Sequence, residues 1–513
     1  MPIAATVGGN RIRMATSTSD RGPGGRTFFG HPWGLATLFF TEMWERFSFY
    51  GLRAILVLFL IAPPSESGLG MAEGTAKALL GVYMAMVYFV ALPGGWVADR
   101  ILGARKAVLV GGVVIMLGHI SMAIPGGAGF VYLGLLLIIL GTGLLKPNIS
   151  TMVGKLYVGE DSARRDSAFS LFYMGINIGS LAPFLVGYLG QNINWHLGFG
   201  CAAVGMALGI VQYVLGSRHL RGVGDRPGHR LNPQERSRFL RITAVVLAVV
   251  AVLVVAAAVT GTLTVDAVTV ALTILAIVVP VVYFGYMFRS HEVTAEERVK
   301  LRAYVWLFLA AALFWMIFDQ AAGPLNIFAN DNVDLNVFGW QMPASWTQNI
   351  NPILVISFSA FFAWLWLRLG SRASTGMKFG FALVMSGLSF VVMSIASHAT
   401  HGGTVKVSLL WLVAVYLLQT LGELCLSPVG LSVTTRLAPT AFASQMMGVW
   451  FLATAAGDAV GGQVARLQAP WGDVKYFLVL GVFSVLAGVL LFLFVRSLRR
   501  LMGEEREPAV TRH

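Results

Sequence analysis

The stretch GFVYLGLLLIILGTGLLKPNI, residues 129–149, decides the class of fold. A helix needs about 20 apolar residues to cross the hydrocarbon core of a bilayer. This stretch supplies that length with Lys146 as its single charge, and similar stretches recur along the chain. The sequence therefore predicts an all-α, polytopic membrane protein.

Composition indicates the same class. Of the 513 residues, 56% are hydrophobic and 12% are charged, whereas a soluble domain has about 45–50% apolar and about 25% charged residues. A soluble fold could not bury this much apolar surface, so the lipid bilayer is an expected partner. The first 30 residues lack an apolar core, so we expect no cleaved signal peptide.

Fourteen stretches are long and apolar enough to be candidate spans. They cover residues 34–62, 76–98, 106–124, 129–149, 167–190, 196–216, 242–261, 265–288, 302–322, 348–370, 376–396, 407–433, 441–463 and 474–497.

Lysine and arginine concentrate in the even-numbered connections and near the ends of the chain. The connection at 217–241 is rich in arginine, whereas the one that holds Asp331 and Asp334 has no base. Cytoplasmic loops carry such an excess of basic residues, so we expect both termini in the cytoplasm of a cell (inner or plasma) membrane protein. The net charge of +13 is explained by these basic loops and does not indicate a nucleic acid partner.

The spans fall into two blocks of six with a separate pair between them. The pair, 242–261 and 265–288, is rich in Val, Ala, Leu and Thr, and its one charge is Asp266 at a helix start. We expect this hairpin to be peripheral and to face lipid. The six-plus-six layout is similar to the major facilitator superfamily, whose substrate sites lie at the midplane between the halves.

This layout predicts five regions. They are a cytoplasmic tail (1–30), a six-helix bundle (31–216), a cytoplasmic linker with the hairpin (217–298), a second six-helix bundle (299–497) and a cytoplasmic tail (498–513).

Charged side chains inside spans are candidate functional residues, because each costs at least about 2.5–3.5 kcal/mol at the centre of a bilayer. Three bases and five acids could pair with one another, bind a zwitterion or relay protons. They are Glu42, Glu45, Arg46, Arg53, Lys146, Asp319, Glu423 and Asp458.

The four charges of the first span are spaced to share one helix face, and Phe49 and Tyr50 lie beside them. A charged face with aromatic neighbours favours a water-filled cavity. The alternative is an internal ladder of ion pairs that only holds helices together.

The later charges also have alternatives. Lys146 either meets an acid or reaches along its span to the membrane surface, and Pro147 favours a break or kink in that helix. Glu423, five residues before Pro428, could take up a proton or bind an ammonium group. Asp458 could act in transport, or it could cap or pair locally.

The segment Gly95 to Lys106 is predicted to be a cytoplasmic loop whose glycines allow tight turning. Asp99 could pair with a basic group or a helix N-terminus as a latch, or the charges could only orient the chain. The candidate residues of this loop are Gly95, Asp99, Arg100, Gly103 and Arg105.

Several signals of other functions are missing from the sequence. There is no phosphate-binding loop, no Cys/His spacing for a metal and no Ser/His/Asp set, since the histidines are isolated. Cys201 and Cys425 lie in apolar runs and indicate no disulfide framework. We therefore expect no enzyme activity, no cofactor and no metal.

The first span also carries a family motif. EMWERFSFY, residues 42–50, resembles the E-x-x-E-R-F-x-Y-Y motif of the bacterial proton-coupled oligopeptide transporters (POT/PTR) of the major facilitator superfamily. FYMGINIG at 172–179, and GEL at 422–424 with SPVG at 427–430, resemble that family's motifs in spans five and ten. The glycine-rich segment 95–106 resembles the superfamily's loop motif, and the hairpin resembles the extra helix pair of bacterial members. The likeness runs from about residue 30 to residue 500.

The resemblance implies roles at matching positions. Arg46, Arg53 and Lys146 match bases that meet the carboxylate of a di- or tripeptide, and Asn177, Asn351 and Glu423 match groups that meet its amino end. Matches to the cavity lining are Tyr50, Tyr88, Trp315, Ser427, Trp450 and Phe451. Glu42, Glu45 and Asp319 match proton-coupling acids, and the implied gate pairs are Arg53 with Asp319 and Lys146 with Glu423.

Two residues depart from the family pattern. Asp319 stands where the family has Glu, and the shorter side chain predicts a looser or water-bridged pair with Arg53. Phe49 stands where the family has Tyr. These changes bear on substrate range and coupling more than on the fold. The histidine of animal relatives is missing from span two, so proton uptake must rest on carboxylates.

We therefore expect a symporter that imports di- and tripeptides with protons by alternating access. One alternative is a transporter of another small zwitterionic or anionic solute. Another, from a different class, is a membrane sensor or scaffold without turnover.

Overall fold

The computed structural model describes residues 27–158, 162–227, 231–370 and 373–503. Most of the two predicted tails, residues 1–26 and 504–513, lies outside the described residues. The helices are α1 (Trp33–Ile61), α2 (Glu73–Phe89), α3 (Ala91–Val97), α4 (Ala104–Ala123), α5 (Ala128–Leu156), α6 (Ser162–Gly179), α7 (Tyr188–Asn192), α8 (Trp195–Gly216), α9 (Pro233–Val259), α10 (Val265–Arg289), α11 (Ala295–Phe318), α12 (Pro324–Asn332), α13 (Ile350–Leu369), α14 (Thr375–Ala399), α15 (Leu410–Leu437), α16 (Ala443–Val464), α17 (Gln468–Trp471), α18 (Asp473–Leu493) and α19 (Val495–Met502).

Short elements connect these helices. They include π turns at Ala98–Leu102 and Pro183–Gly187 and 3₁₀ turns at Asp319–Ala322, Ala344–Asn349 and Ala465–Leu467. In the described chain, three two-residue strands lie between α12 and α13, and a fourth lies between α14 and α15. β1 (Val333–Asp334) pairs in parallel with β4 (Val407–Ser408), and β2 (Asn336–Val337) pairs antiparallel with β3 (Trp340–Gln341).

The all-α membrane fold is confirmed. In the described chain, twelve helical segments are long and apolar enough to cross a membrane. Two further helices match predicted spans, α1 with 29 residues and α16 with 22. The twelve segments and these two helices together fit the fourteen spans that the sequence predicts.

Hydrogen bonds join the two predicted bundles at one end of the molecule, where α1 ends and α2 begins. We call this the outer end, after the orientation that loop charge predicts, and the bundles the N-half (31–216) and C-half (299–497). Asn326 Nδ2 donates to the Ala54 carbonyl at 2.8 Å, and the Ser345 amide donates to Gln191 Oε1 at 2.9 Å. Lys77 Nζ donates to Gln468 Oε1 at 2.5 Å. The outer end is therefore closed in this structure.

The inserted hairpin is only partly as predicted. α9 has no buried residue, which agrees with a helix that faces lipid. α10 instead packs on the C-half: Thr273 Oγ1 donates to the Ala459 carbonyl at 3.4 Å, and Asp266 Oδ1 lies 2.7 Å from Arg466 Nη2. The prediction of a wholly peripheral hairpin was wrong for α10, because its small polar threonines give it a face that fits α16.

The predicted loop at Gly95 to Lys106 is mostly helical. Helix α3 and the π turn continue to Leu102, and the chain turns at Gly103, whose φ of +79° favours glycine. Asp99 is exposed, and the ion pair at this turn is made by Arg105 Nη1 with Asp225 Oδ1 of the linker at 2.7 Å. The hydrogen bond from Arg105 holds the pKa of Asp225 below its ordinary value.

Pro147 does not end α5, which continues to Leu156. A proline cannot donate to the carbonyl four residues earlier, here that of Gly143. That carbonyl lies against Gly94 of α3, where a Cβ atom would stand only 1.9 Å from the Gly143 oxygen. Gly94 therefore allows the closest approach between the second and fourth spans.

We predict that Gly94→Ala lowers the thermal unfolding midpoint of the detergent-solubilised protein by several degrees. The added methyl group must push two backbones apart, and overpacking costs about 1–3 kcal/mol or more. Gly95→Ala is the matched control, because its Cβ would meet the ring of Pro147 at ordinary contact distances of 3.8 and 3.9 Å. Equal midpoints for the two variants would contradict this account of the helix contact.

Candidate substrate and proton site

A cavity of about 190 Å³ lies between the N-half and the C-half. Six of the predicted binding residues line it: Tyr50, Arg53, Asn177, Asn351, Glu423 and Ser427. The first three come from α1 and α6 and the others from α13 and α15. The structure thus brings residues together that are up to 377 positions apart in the sequence, between Tyr50 and Ser427.

On the C-half side, an acid and an amide form one unit. Asn351 Nδ2 donates to Glu423 Oε2 and to Thr420 Oγ1, both at 3.0 Å. These bonds hold the Glu423 carboxyl at the cavity surface, since an unpaired buried carboxylate would be costly. Asn177 lines the opposite wall.

On the N-half side, Arg53 Nη2 lies 2.8 Å from Asp319 Oδ1. The predicted looser or water-bridged pair was therefore wrong. Helix α11 ends at Phe318, and the 3₁₀ turn that begins with Asp319 packs against α1. This break brings the backbone of Asp319 close enough for its short side chain to reach Arg53 directly.

The first-span acids form a buried cluster with Arg46 beside the cavity. Arg46 Nε lies 2.5 Å from Glu45 Oε2 and 3.2 Å from Glu42 Oε1, and all three residues are at most 3% exposed. Glu42 Oε2, Glu45 Oε1 and Arg46 Nη2 have no hydrogen-bond partner in the described chain. If these ion pairs had only a structural role, each of these buried atoms would be expected to have a hydrogen-bond partner. The three atoms are therefore available to bind protons or a ligand.

Lys146 faces the interior. Its Nζ lies 3.7 Å from the ring centroid of Tyr88 and 5.6 Å from that of Phe451, and such cation–π contacts partly replace its hydration. Glu423 is bonded to Asn351 instead, and no Lys146–Glu423 ion pair occurs among the described residues. In this structure the outer pair is formed and the inner pair is apart.

Four predicted lining residues, Tyr88, Trp315, Trp450 and Phe451, are not among the residues that line this cavity. Trp450 packs its ring against Gly430 and Phe379 in the C-half core, and Trp315 packs edge-on against Phe314 and Phe318. Their predicted role in the lining stays a prediction.

Sequence reasoning missed five polar residues of the lining: Tyr173, Ser180, Gln348, Tyr416 and Gln419. The Tyr416 hydroxyl and both polar atoms of the Gln419 amide are buried without a partner in the described chain. An amide in the middle of the apolar run 407–433 is a sequence signal that indicates Gln419.

A bundle of membrane-spanning helices around a polar cavity, closed at one end by an ion pair between halves, defines a membrane transporter. Residues 105–475 match the model of the POT family, so the chain belongs to this family. It is similar to a di-/tripeptide transporter from Lactococcus lactis subsp. cremoris, with 42% identity over 94% of this chain and 98% of that protein.

Solved structures agree with this assignment. The crystal structure of a peptide transporter POT in complex with sulfate has a TM-score of 0.90 and 45% identity, and it covers 93% of this chain and 97% of that chain. A POT family transporter in complex with 5-aminolevulinic acid has a TM-score of 0.88 and 37% identity, with 92% and 98% covered.

We predict that the transport losses of Arg53→Ala and Asp319→Ala are not additive. Each single variant leaves one buried charge unpaired, which is costly, whereas the double variant removes both. The double variant should retain more uptake than the product of the single losses predicts, by a coupling energy of about 1–3 kcal/mol. Arg53→Ala combined with a change at the exposed Asp334 is the control and should be additive. Additive losses for both pairs would show that Arg53 and Asp319 do not interact in the working protein.

Proposed function

We propose that this protein is a proton-coupled symporter that imports di- and tripeptides by alternating access. The observation that carries the proposal is the charge arrangement of the cavity. A guanidinium, Arg53, stands on the N-half wall, and a carboxyl with an amide, Glu423 and Asn351, stands on the C-half wall.

This arrangement complements a peptide zwitterion, whose ends are fixed while its side chains vary. Arg53, with Arg46 and Lys146 behind the lining, would attract the carboxylate end through charge-assisted hydrogen bonds. Glu423, Asn351 and Asn177 would hold the ammonium end. The names of a close relative and of a solved neighbour as peptide transporters support the same substrate class.

The two gate pairs fit alternating access. Arg53 with Asp319 closes the outer end in this structure, and Lys146 is free of Glu423, as expected when the inner end is not closed. We propose that peptide and proton binding break the first pair and that closure toward the inside forms the second. The loop-motif residues Gly95, Asp99, Arg100, Gly103 and Arg105 would act at the inner end.

Coupling to protons is assigned to carboxylates. Glu42 and Glu45 each keep an unpartnered oxygen next to Arg46, and Asp319 must leave Arg53 when the outer end opens. Protonation of any of these acids would weaken an ion pair between or within the halves. The proposed location is the cell (inner or plasma) membrane with both termini in the cytoplasm, as the loop charges predict.

A second candidate function is transport of another small zwitterion. The neighbour in complex with 5-aminolevulinic acid supports it, because that ligand also carries an amino group and a carboxyl group. A sensor or scaffold without turnover is the third candidate and would show no uptake at all.

Uptake by purified protein in liposomes separates these candidates. A labelled dipeptide should accumulate when the outside is more acidic than the inside. Unlabelled di- and tripeptides should compete, whereas 5-aminolevulinic acid should compete only weakly. Stronger competition by 5-aminolevulinic acid would favour the second candidate, and no uptake of either solute would favour the third.

We predict that a dipeptide with an amidated C-terminus competes much less than the parent dipeptide. Loss of one charge-assisted hydrogen bond costs about 1.5–3 kcal/mol, which is on the order of 10- to 150-fold in affinity. The measurement is the concentration of each compound that halves uptake. Equal values would contradict a role for the basic residues in binding the carboxylate.

We also predict that Glu45→Gln abolishes proton-driven accumulation but retains exchange of peptide across the membrane. The amide keeps a hydrogen-bond acceptor for Arg46 and cannot bind or release a proton. Counterflow measured without a pH gradient is the readout for the binding site. Full accumulation by Glu45→Gln would remove Glu45 from the coupling mechanism.

A further inference from the structure

Asp458 on α16 is a buried acid that the proposed cycle does not yet use. It is 3% exposed, and no donor of the described chain reaches either of its carboxyl oxygens. It lines a small cavity of about 20 Å³ together with Asp319, Gln320 and Lys77. A carboxyl so placed requires an explanation, since an ionised carboxylate without a donor costs several kcal/mol in such surroundings.

The neighbour that Asp458 contacts is another acid. Asp458 and Asp319 line the same small cavity, and their side chains are close enough to interact. Asp319 Oδ1 already accepts from Arg53. Two carboxyl groups can share a hydrogen bond only when one of them carries a proton. Asp319 is already paired with Arg53, whereas no donor of the described chain reaches Asp458, so the shared proton is placed on Asp458.

The surroundings of Asp458 do not offer it a cation of its own. Lys77 of α2 is bonded to Glu73 and Gln468, Lys146 of α5 lies over the ring of Tyr88, and Arg53 of α1 is paired with Asp319. On α10 and the turn after α16, Asp266 and Arg466 are paired with each other. Among the described residues, the charged neighbour left to share a proton with Asp458 is therefore Asp319, which lines the same cavity.

Two helices from opposite halves meet beside this pair. A Cβ on Gly81 of α2 would stand 2.6 Å from the Gly462 Cα atom and 2.7 Å from the Asp458 carbonyl oxygen. Helices α2 and α16 thus touch backbone to backbone over this cavity. Any movement that opens the outer end must separate them and admit water to the two acids.

We propose that Asp458 and Asp319 form a proton-sharing carboxyl pair, in which Asp458 holds a proton that the transport cycle carries. This inference rests on the proposed symport function and adds a second carboxyl to the site of Asp319. In the closed state, the Asp458 hydroxyl donates to Asp319, and Arg53 balances the remaining negative charge. After opening, the O–H bond of Asp458 exchanges its proton with water, and the electron pair stays on the carboxylate oxygen.

The test compares Asp458→Asn, Asp458→Glu and wild type in liposomes. Asp458→Asn keeps the shape and can still donate to Asp319, but it cannot exchange a proton. We expect the gradient-driven accumulation of dipeptide by this variant to fall to a ratio of about 1, with gradient-free exchange within about twofold of wild type. Asp458→Glu should restore accumulation in part.

Thr454→Val, one turn earlier on α16 and also buried, is the matched control and should leave both activities unchanged. Wild-type accumulation and an unchanged pH dependence in Asp458→Asn would overturn the inference. Equal loss of accumulation and exchange would also overturn it, because Asp458 would then have only a structural role. If wild type itself showed neither activity, the proposed function would fail before the question of Asp458 arose.

Discussion

The cost of placing a charge in lipid governs this structure. Charged side chains lie inside spans, eight of them candidate functional residues, and each costs at least about 2.5–3.5 kcal/mol at the bilayer centre unless it finds a partner or water. Some partners lie on the same helix, since Arg46 meets two acids of its own span. Others lie across the interface, since Arg53 of the N-half meets Asp319 of the C-half. The charges are tolerable only while the two halves face each other. The interface between the halves therefore holds the substrate site and is also where the halves move relative to each other.

The same constraint explains why the molecule can have two closed states. A cation that leaves one acid must find another negative group, and the cavity offers a peptide carboxylate or a second acid. Close backbone contacts, such as Gly81 with Gly462 at the outer end, make the closed outer end well packed. Binding of a proton or a peptide can then shift the equilibrium between the two closed states, because it changes the number of unpaired charges inside the bilayer.

Much of the fold could be predicted from the sequence, because a span needs a minimum apolar length. Residues 129–149 were predicted as a span, and the helix runs from Ala128 to Leu156. The misses have local physical causes. Pro147 does not break α5, because the carbonyl it leaves without a donor packs against Gly94. Likewise, α10 is not peripheral, because Thr273 finds partners on α16.

The site was less predictable than the fold. Charges in spans stand out in a sequence, so Arg53, Asp319 and Glu423 were found. The direct contact of Arg53 with Asp319 was missed, because it depends on where α11 ends. Tyr416 and Gln419 were missed, because an uncharged polar group in an apolar run shows its importance only when its buried atoms lack partners.

The central claim is that peptide movement is tied to proton movement through these buried acids. The most direct measurement is proton entry into liposomes that contain the protein and a trapped pH-sensitive dye, with the membrane potential clamped and no pH gradient imposed. We predict that adding a dipeptide outside acidifies the interior, in step with peptide entry. Peptide entry at full rate without any change of internal pH would contradict the account.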